Sequence, residues 1–131
     1  MREHIFHGKR KDNGEWVEGL PCYGINGIIS EISVFTSFGN CLTYEVDPDS
    51  VGEYTGLTDK NGGKIFEGDI YTCREYECIG YIAWNDGSTS FYYYVLYEGG
   101  TYEEECLYDY ADELEVIGNV IDNPKLLEVE K

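Results

Sequence analysis

The sequence predicts a mainly β protein, with an N-terminal β-hairpin subdomain over residues 1–64 and a small barrel over residues 65–131 that ends in a short helix. Three observations carry this. Asn-Gly pairs recur at Asn13-Gly14, Asn26-Gly27 and Asn61-Gly62, and both residues tolerate the positive φ that tight hairpins need. Short runs of aromatic and β-branched residues lie between turn signals, as strands do. Thirteen tyrosines bring the aromatic fraction to 15%, which suits half-buried pleated surfaces.

The elements follow in order. Ile5-Phe6 and Trp16-Val17 flank Asp12-Asn13-Gly14 and read as a first hairpin over residues 2–19. Residues 20–46 read as short strands, with a turn at Asn26-Gly27 and another at Phe38-Gly39-Asn40. Asp47-Pro48-Asp49-Ser50-Val51 predicts one helical turn, with Asp47 as its N-cap and Pro48 at the first helical position. A hairpin then turns at Asn61-Gly62. Gly68-Asp69 interrupts the apolar anchors Ile65, Phe66 and Ile70, as a kink or bulge would. Ile70–Cys73, Gly80–Trp84, Phe91–Tyr97 and Leu114–Ile121 are expected strands. Residues 122–128, with Pro124 near the start, are expected to be a short helix.

Some five short strands after residue 65, spaced by turns, suggest a closed or partly closed barrel. The pattern Gly68-Asp69-Ile70, then Gly80-x-Ile82-x-Trp84, then an apolar strand, resembles SH3-like barrels. Closure would remove the edges that tyrosine-rich strands otherwise offer for aggregation.

Charge narrows the function classes. The net charge is −17; residues 1–60 carry 5 basic and 10 acidic side chains, and residues 61–131 carry 4 and 16. A field of that sign repels phosphate backbones. Most charge runs are solvated surface; an acidic docking face for a basic partner is the sharper alternative. Five cysteines without a CxxC pair, behind an N-terminus with no apolar h-region, predict a cytoplasmic protein with reduced thiols. No run reaches the length that spans a bilayer.

The segment Gly52-x-Tyr54-Thr55-Gly56-Leu57-x-Asp59-x-Asn61-Gly62, followed by Ile65-Phe66-Glu67-Gly68-Asp69-Ile70, resembles the signature of the YopX family. Phe6-x-Gly8-Lys9 with Trp16-Val17-x-Gly19 is similar to that family's start. Leu114-Glu115-Val116-Ile117-Gly118-Asn119 with Asn123-Pro124-x-Leu126-Leu127 is similar to its end. The family comprises small proteins encoded by bacteriophages and prophages, so the resemblance implies a phage origin and a mainly β fold with an SH3-like C-terminal barrel. It implies no activity and no catalytic residues. Gly63 departs from the usual Asn-Gly-Lys turn and lengthens it.

Motifs for chemistry are sparse. His4 and His7 are the only histidines, and on a strand their spacing places them on opposite faces. Cys73 and Cys78 are expected to flank a loop. Asp47-x-Asp49-x-x-Gly52 starts like a calcium loop but has Val51 and Thr58 at its fifth and twelfth positions, where ligands are required. Neither a phosphate-binding Gly-rich loop nor a Gly-x-Ser-x-Gly elbow occurs. The expectation is therefore no catalytic residues, no metal and no cofactor.

Binding is the better reading. Phe91-Tyr92-Tyr93-Tyr94 places aromatics on both faces of one strand, and exposed aromatics anchor interfaces. The expected contact residues are Tyr92, Tyr94, Trp84 and the acids Glu103, Glu104 and Glu105. The expected partner is another protein, from host or phage, with a second copy of the chain as another occupant of the same patch. Single-stranded nucleic acid stacked on the rings is the alternative, and the few basic residues count against it.

Overall fold

A computed structural model of the chain describes residues 5–36, 39–73, 78–85, 90–96, 102–106 and 111–127; for residues 73, 78, 85, 90, 92–96 and 102–106 it describes the backbone alone. The protein is mainly β, with two antiparallel sheets and no α-helix among the described residues. The strands are β1 Phe6–Lys9, β2 Trp16–Tyr23, β3 Ile29–Phe35, β4 Cys41–Glu45, β5 Gly52–Thr58, β6 Lys64–Phe66, β7 Asp69–Cys73, β8 Cys78–Asn85, β9 Ser90–Leu96, β10 Tyr102–Cys106 and β11 Glu115–Asn119. They form one sheet in the order β4-β3-β2-β1-β5-β6 and another in the order β10-β9-β8-β7-β11. The chain divides into two compact units, Met1–Tyr54 and Thr55–Lys131.

The first unit is a meander. Asn13-Gly14 turns β1 into β2, with Gly14 at φ 74°, and Phe6 stands opposite Gly19 while Lys9 stands opposite Trp16. Gly19 is dictated by close approach: a Cβ there would overlap the backbone carbonyl of Ser33 on β3. Ile32 on β3 and Val46 after β4 are fully buried, and Val46 packs where a side chain at Gly8 would stand. Asp47 caps a single 3-10 turn, Pro48–Ser50, by accepting the Asp49 N–H at 3.0 Å. Ser50 is buried and its Oγ accepts the Lys9 N–H at 2.7 Å, which ties the cap to β1.

The second unit has its own core of Ile65, Tyr71, Ile82, Phe91, Ala111 and Leu114, with Leu57 and Val116 packed against it. Alternation along the strands explains the set, since side chains two apart share a face. Tyr71 stands opposite Gly80, which has no side chain to compete with its ring, and opposite Val116, which packs against the cluster. The corner between β6 and β7 is two residues long, Glu67-Gly68, with Gly68 at φ 91°. Its N–H donates to Ile82 O at 2.8 Å and its carbonyl accepts from Val120 N at 2.9 Å. The last strand, β11, returns to pair with β7, shifting register between Val116 and Gly118.

Two sequence expectations are corrected here. The C-terminal helix is a 3-10 turn, Pro124–Leu127, and the strand before it stops at Asn119. The Asn119 side chain causes the stop: its Oδ1 accepts from Ile121 N at 3.0 Å and Asp122 N at 2.8 Å, which folds Val120 and Ile121 into a turn.

Candidate functional site

Three strands of the second sheet hold the residues singled out from sequence. Each row of the β8-β9-β10 register places one residue per strand side by side. Tyr94 stands between Tyr81 and Glu104, and Tyr92 between Ala83 and Cys106. Val95 stands opposite Glu103 and Gly80, and Tyr93 opposite Glu105 and Ile82. Trp84 stands opposite Phe91, and the two rings meet edge to face, 4.9 Å apart at 77°. Phe91 is buried and Trp84 is 37% exposed.

The rows divide the chosen residues. Trp84, Glu103 and Glu105 hold register positions in line with the core residues Ile82 and Phe91, whereas Tyr92, Tyr94 and Glu104 alternate with them. The side chains of Tyr92, Tyr94, Glu103, Glu104 and Glu105 lie outside the described residues. Residues 102–106, read from sequence only as an acidic segment, form the outermost strand of the sheet.

Sequence reasoning passed over two buried carboxyls that the turn-rich segment places near each other. Asp59 Oδ1 accepts from Asn61 N at 3.0 Å and Gly63 N at 2.9 Å, and its Oδ2 accepts from Val116 N at 3.0 Å. Burial pushes this carboxyl upward, but the three backbone N–H groups outweigh it, and the net direction is below the ordinary carboxylate value. The extra residue at 63 supplies one of these donors. Asp69 Oδ2 accepts from Phe66 N at 2.8 Å across the β6-β7 corner. Burial is the main reason its pKa rises to about 7; the Phe66 bond lowers it and the charge of Asp59 adds to the rise.

Carboxyls with pKa values pushed apart are a mark of acid–base sites. Here the oxygens accept from backbone N–H groups of the hairpin turn, the β6-β7 corner and β11, so the pair clamps the hairpin to β11 and closes the corner. His7 is likewise structural. Its ring lies 4.6 Å from that of Trp16, and burial lowers its pKa to about 4 against the opposing pull of Glu18, its cross-strand neighbour. Cys22 and Cys41 are free thiols, and Cys73 stands opposite Cys78 in the backbone register at the ends of β7 and β8. Among the described residues no three His, Cys, Asp or Glu side chains gather as metal ligands would, and no helix is long and apolar enough to cross a membrane.

A different surface stands out on the first unit. Leu20, Tyr23, Ile25 and Ile28 are exposed around the β2-β3 turn. Hydrogen bonds close the turn: Gly24 N donates to Ile28 O at 2.8 Å, Gly27 N to Gly24 O at 2.9 Å, and Ile28 N to Asn26 Oδ1 at 3.1 Å. Residues 20–30 carry no charge, but neither do residues 32–44, so this feature of the sequence does not single out the hairpin end.

Comparison with known proteins agrees with this architecture. The chain is similar to the crystal structure of protein EF1440 from Enterococcus faecalis, at 26% identity and a TM-score of 0.62, over 98% of this chain and 100% of that one. No curated protein matches it significantly. The family described as YopX protein matches residues 6–128, nearly the whole length. The chain belongs to the YopX family.

Proposed function

We propose that this protein is a protein-binding module without catalysis, acting on a host or phage partner inside the bacterial cell, and that its second unit is built as an SH3-like barrel. The strand order supports the barrel: β7 to β10 form a meander, a 3-10 turn at Ala111–Glu113 follows, and β11 returns beside β7. One observation carries the binding role. β10, with Glu103-Glu104-Glu105, is the edge of its sheet and lies against tyrosine-rich β9. An edge strand can accept an extended segment by backbone pairing, and acids along it favour a basic one.

The test is capture from host lysate with the Tyr92→Ala/Tyr94→Ala double variant as control. A partner retained by the wild type and lost by the variant, with modest response to salt, fits the proposal. Equal recovery by both proteins would refute it. So would binding of single-stranded DNA whose affinity falls steeply with salt, because that is the signature of phosphate contacts.

A further inference from the structure

We propose that the β2-β3 hairpin end is a second docking element, an apolar knob that seats in an apolar cleft bordered by Lys or Arg on another protein. It goes beyond the reading above, since it uses a different unit and different residues. Scattered apolar residues on a surface are ordinary. This set is not scattered: Leu20 is 45% exposed, Tyr23 64% and Ile28 49%, and Ile25 is wholly in solvent at the tip. The hydrogen bonds across Gly24, Asn26, Gly27 and Ile28 fix the shape of the turn, with Gly27 at φ 79°. A knob shaped in advance loses little freedom on docking.

Charge selects the occupant. From Asp12 to Asp59 every charged residue is acidic, and of the basic residues before that run Lys11 and Arg10 are held against Glu45 and Tyr44. Glu18, Glu31 and Glu45 are exposed on β2, β3 and β4. Glu31 and Glu45 stand directly opposite one another, an arrangement that is unfavourable between like charges. Lys11 Nζ reaches Glu45 Oε1 at 3.2 Å, and no ion pair reaches Glu31 among the described residues. A cation brought by a partner would relieve that repulsion as the apolar end is covered. A second copy of this chain, with its net charge of −17, and an anionic membrane would both bring a net repulsion.

The experiment uses the full chain with isotope-labelled isoleucine methyls and three probes. The first is a synthetic amphipathic peptide with leucine on one face and lysine on the other. The second is the same peptide with glutamate for lysine. The third is phosphatidylcholine vesicles. The expected result is that the lysine peptide shifts the Ile25 and Ile28 methyls and that Ile25→Ser/Ile28→Ser weakens binding at least tenfold. Glu31→Gln should weaken it several-fold and flatten its salt dependence, and the shifts of the Ile25 and Ile28 methyls should persist in Tyr92→Ala/Tyr94→Ala. An intact amide spectrum of each variant establishes folding. The proposal is overturned by unmoved tip methyls, equal binding of the glutamate peptide, or vesicles that perturb the tip as strongly. Sedimentation that shows a dimer dissolved by the serine variant would also overturn it.

Discussion

Replacing Asp69 by Asn should make the protein less sensitive to alkaline conditions, and the size of the effect follows from one buried carboxyl. The folded pKa is about 7 against an ordinary value of 3.8. The folded state thus holds a proton that the unfolded state releases, and stability falls as pH rises between those values. A gap of about three pKa units corresponds to about 4 kcal/mol over the full range. The lower part of that range is impractical, because the sequence pI is about 4.2 and solubility is poor near it. Between pH 5.5 and 8 roughly half of the range remains, about 2 kcal/mol. Asparagine is neutral throughout and its Oδ1 can still accept from Phe66 N, so the corner keeps its bond. Urea unfolding of both proteins at pH 5.5 and pH 8 gives the comparison, and the difference between them removes the repulsion common to both. The variant should gain about 2 kcal/mol on the wild type across that interval. Stability curves that run parallel would show that Asp69 is ionised in the folded state at both pH values and would refute the reasoning.

Three further outcomes are expected. Asp59→Ala removes the acceptor of three backbone N–H groups and should cost on the order of 2–4 kcal/mol in urea unfolding; Asn should rescue only part, because its NH₂ would face a donor. Gly19→Ala drives a methyl group into the Ser33 carbonyl, so it should separate β2 from β3 and lower stability by roughly 1–3 kcal/mol, with faster amide exchange along β3. His7, lowered to about 4 by burial, contributes stability that is complete above its ordinary value of 6.5 and is lost as pH falls toward 4. His7→Gln should therefore flatten the stability profile between pH 6.5 and 5, measured by urea midpoint.

The legible parts of this fold were its punctuation. Asn13-Gly14, Asn26-Gly27 and Asn61-Gly62 announce turns because few other pairs accept positive φ, and Gly14, Gly27 and Gly62 all take it. Asp47-Pro48 announced a capped turn for an equally local reason. Residues 102–106 were illegible as a strand because Glu103-Glu104-Glu105 carries no alternation; its pairing to β9 is a property of the sheet. The clamps at Asp59 and Asp69 were illegible because abundant acids make any one uninformative, and the role depends on a donor at Val116, 57 positions away from Asp59. The apolar knob was overlooked for a different reason: Leu20, Tyr23, Ile25 and Ile28 look like strand residues destined for a core, and sequence alone does not reveal which face is left uncovered.

The pairing of β11 with β7 has a bearing on how the molecule is made. β7 ends at Cys73, but its second neighbour is not synthesised until Glu115–Asn119. Until the ribosome has released that segment, one flank of β7 stays open and Asp59 lacks its Val116 donor. Nascent chains that stall before then expose a raw sheet border, the kind of surface that chaperones shield and proteases find. The second unit should thus acquire its stability abruptly once Glu115–Asn119 has emerged, and fragments lacking that strand should be cleared.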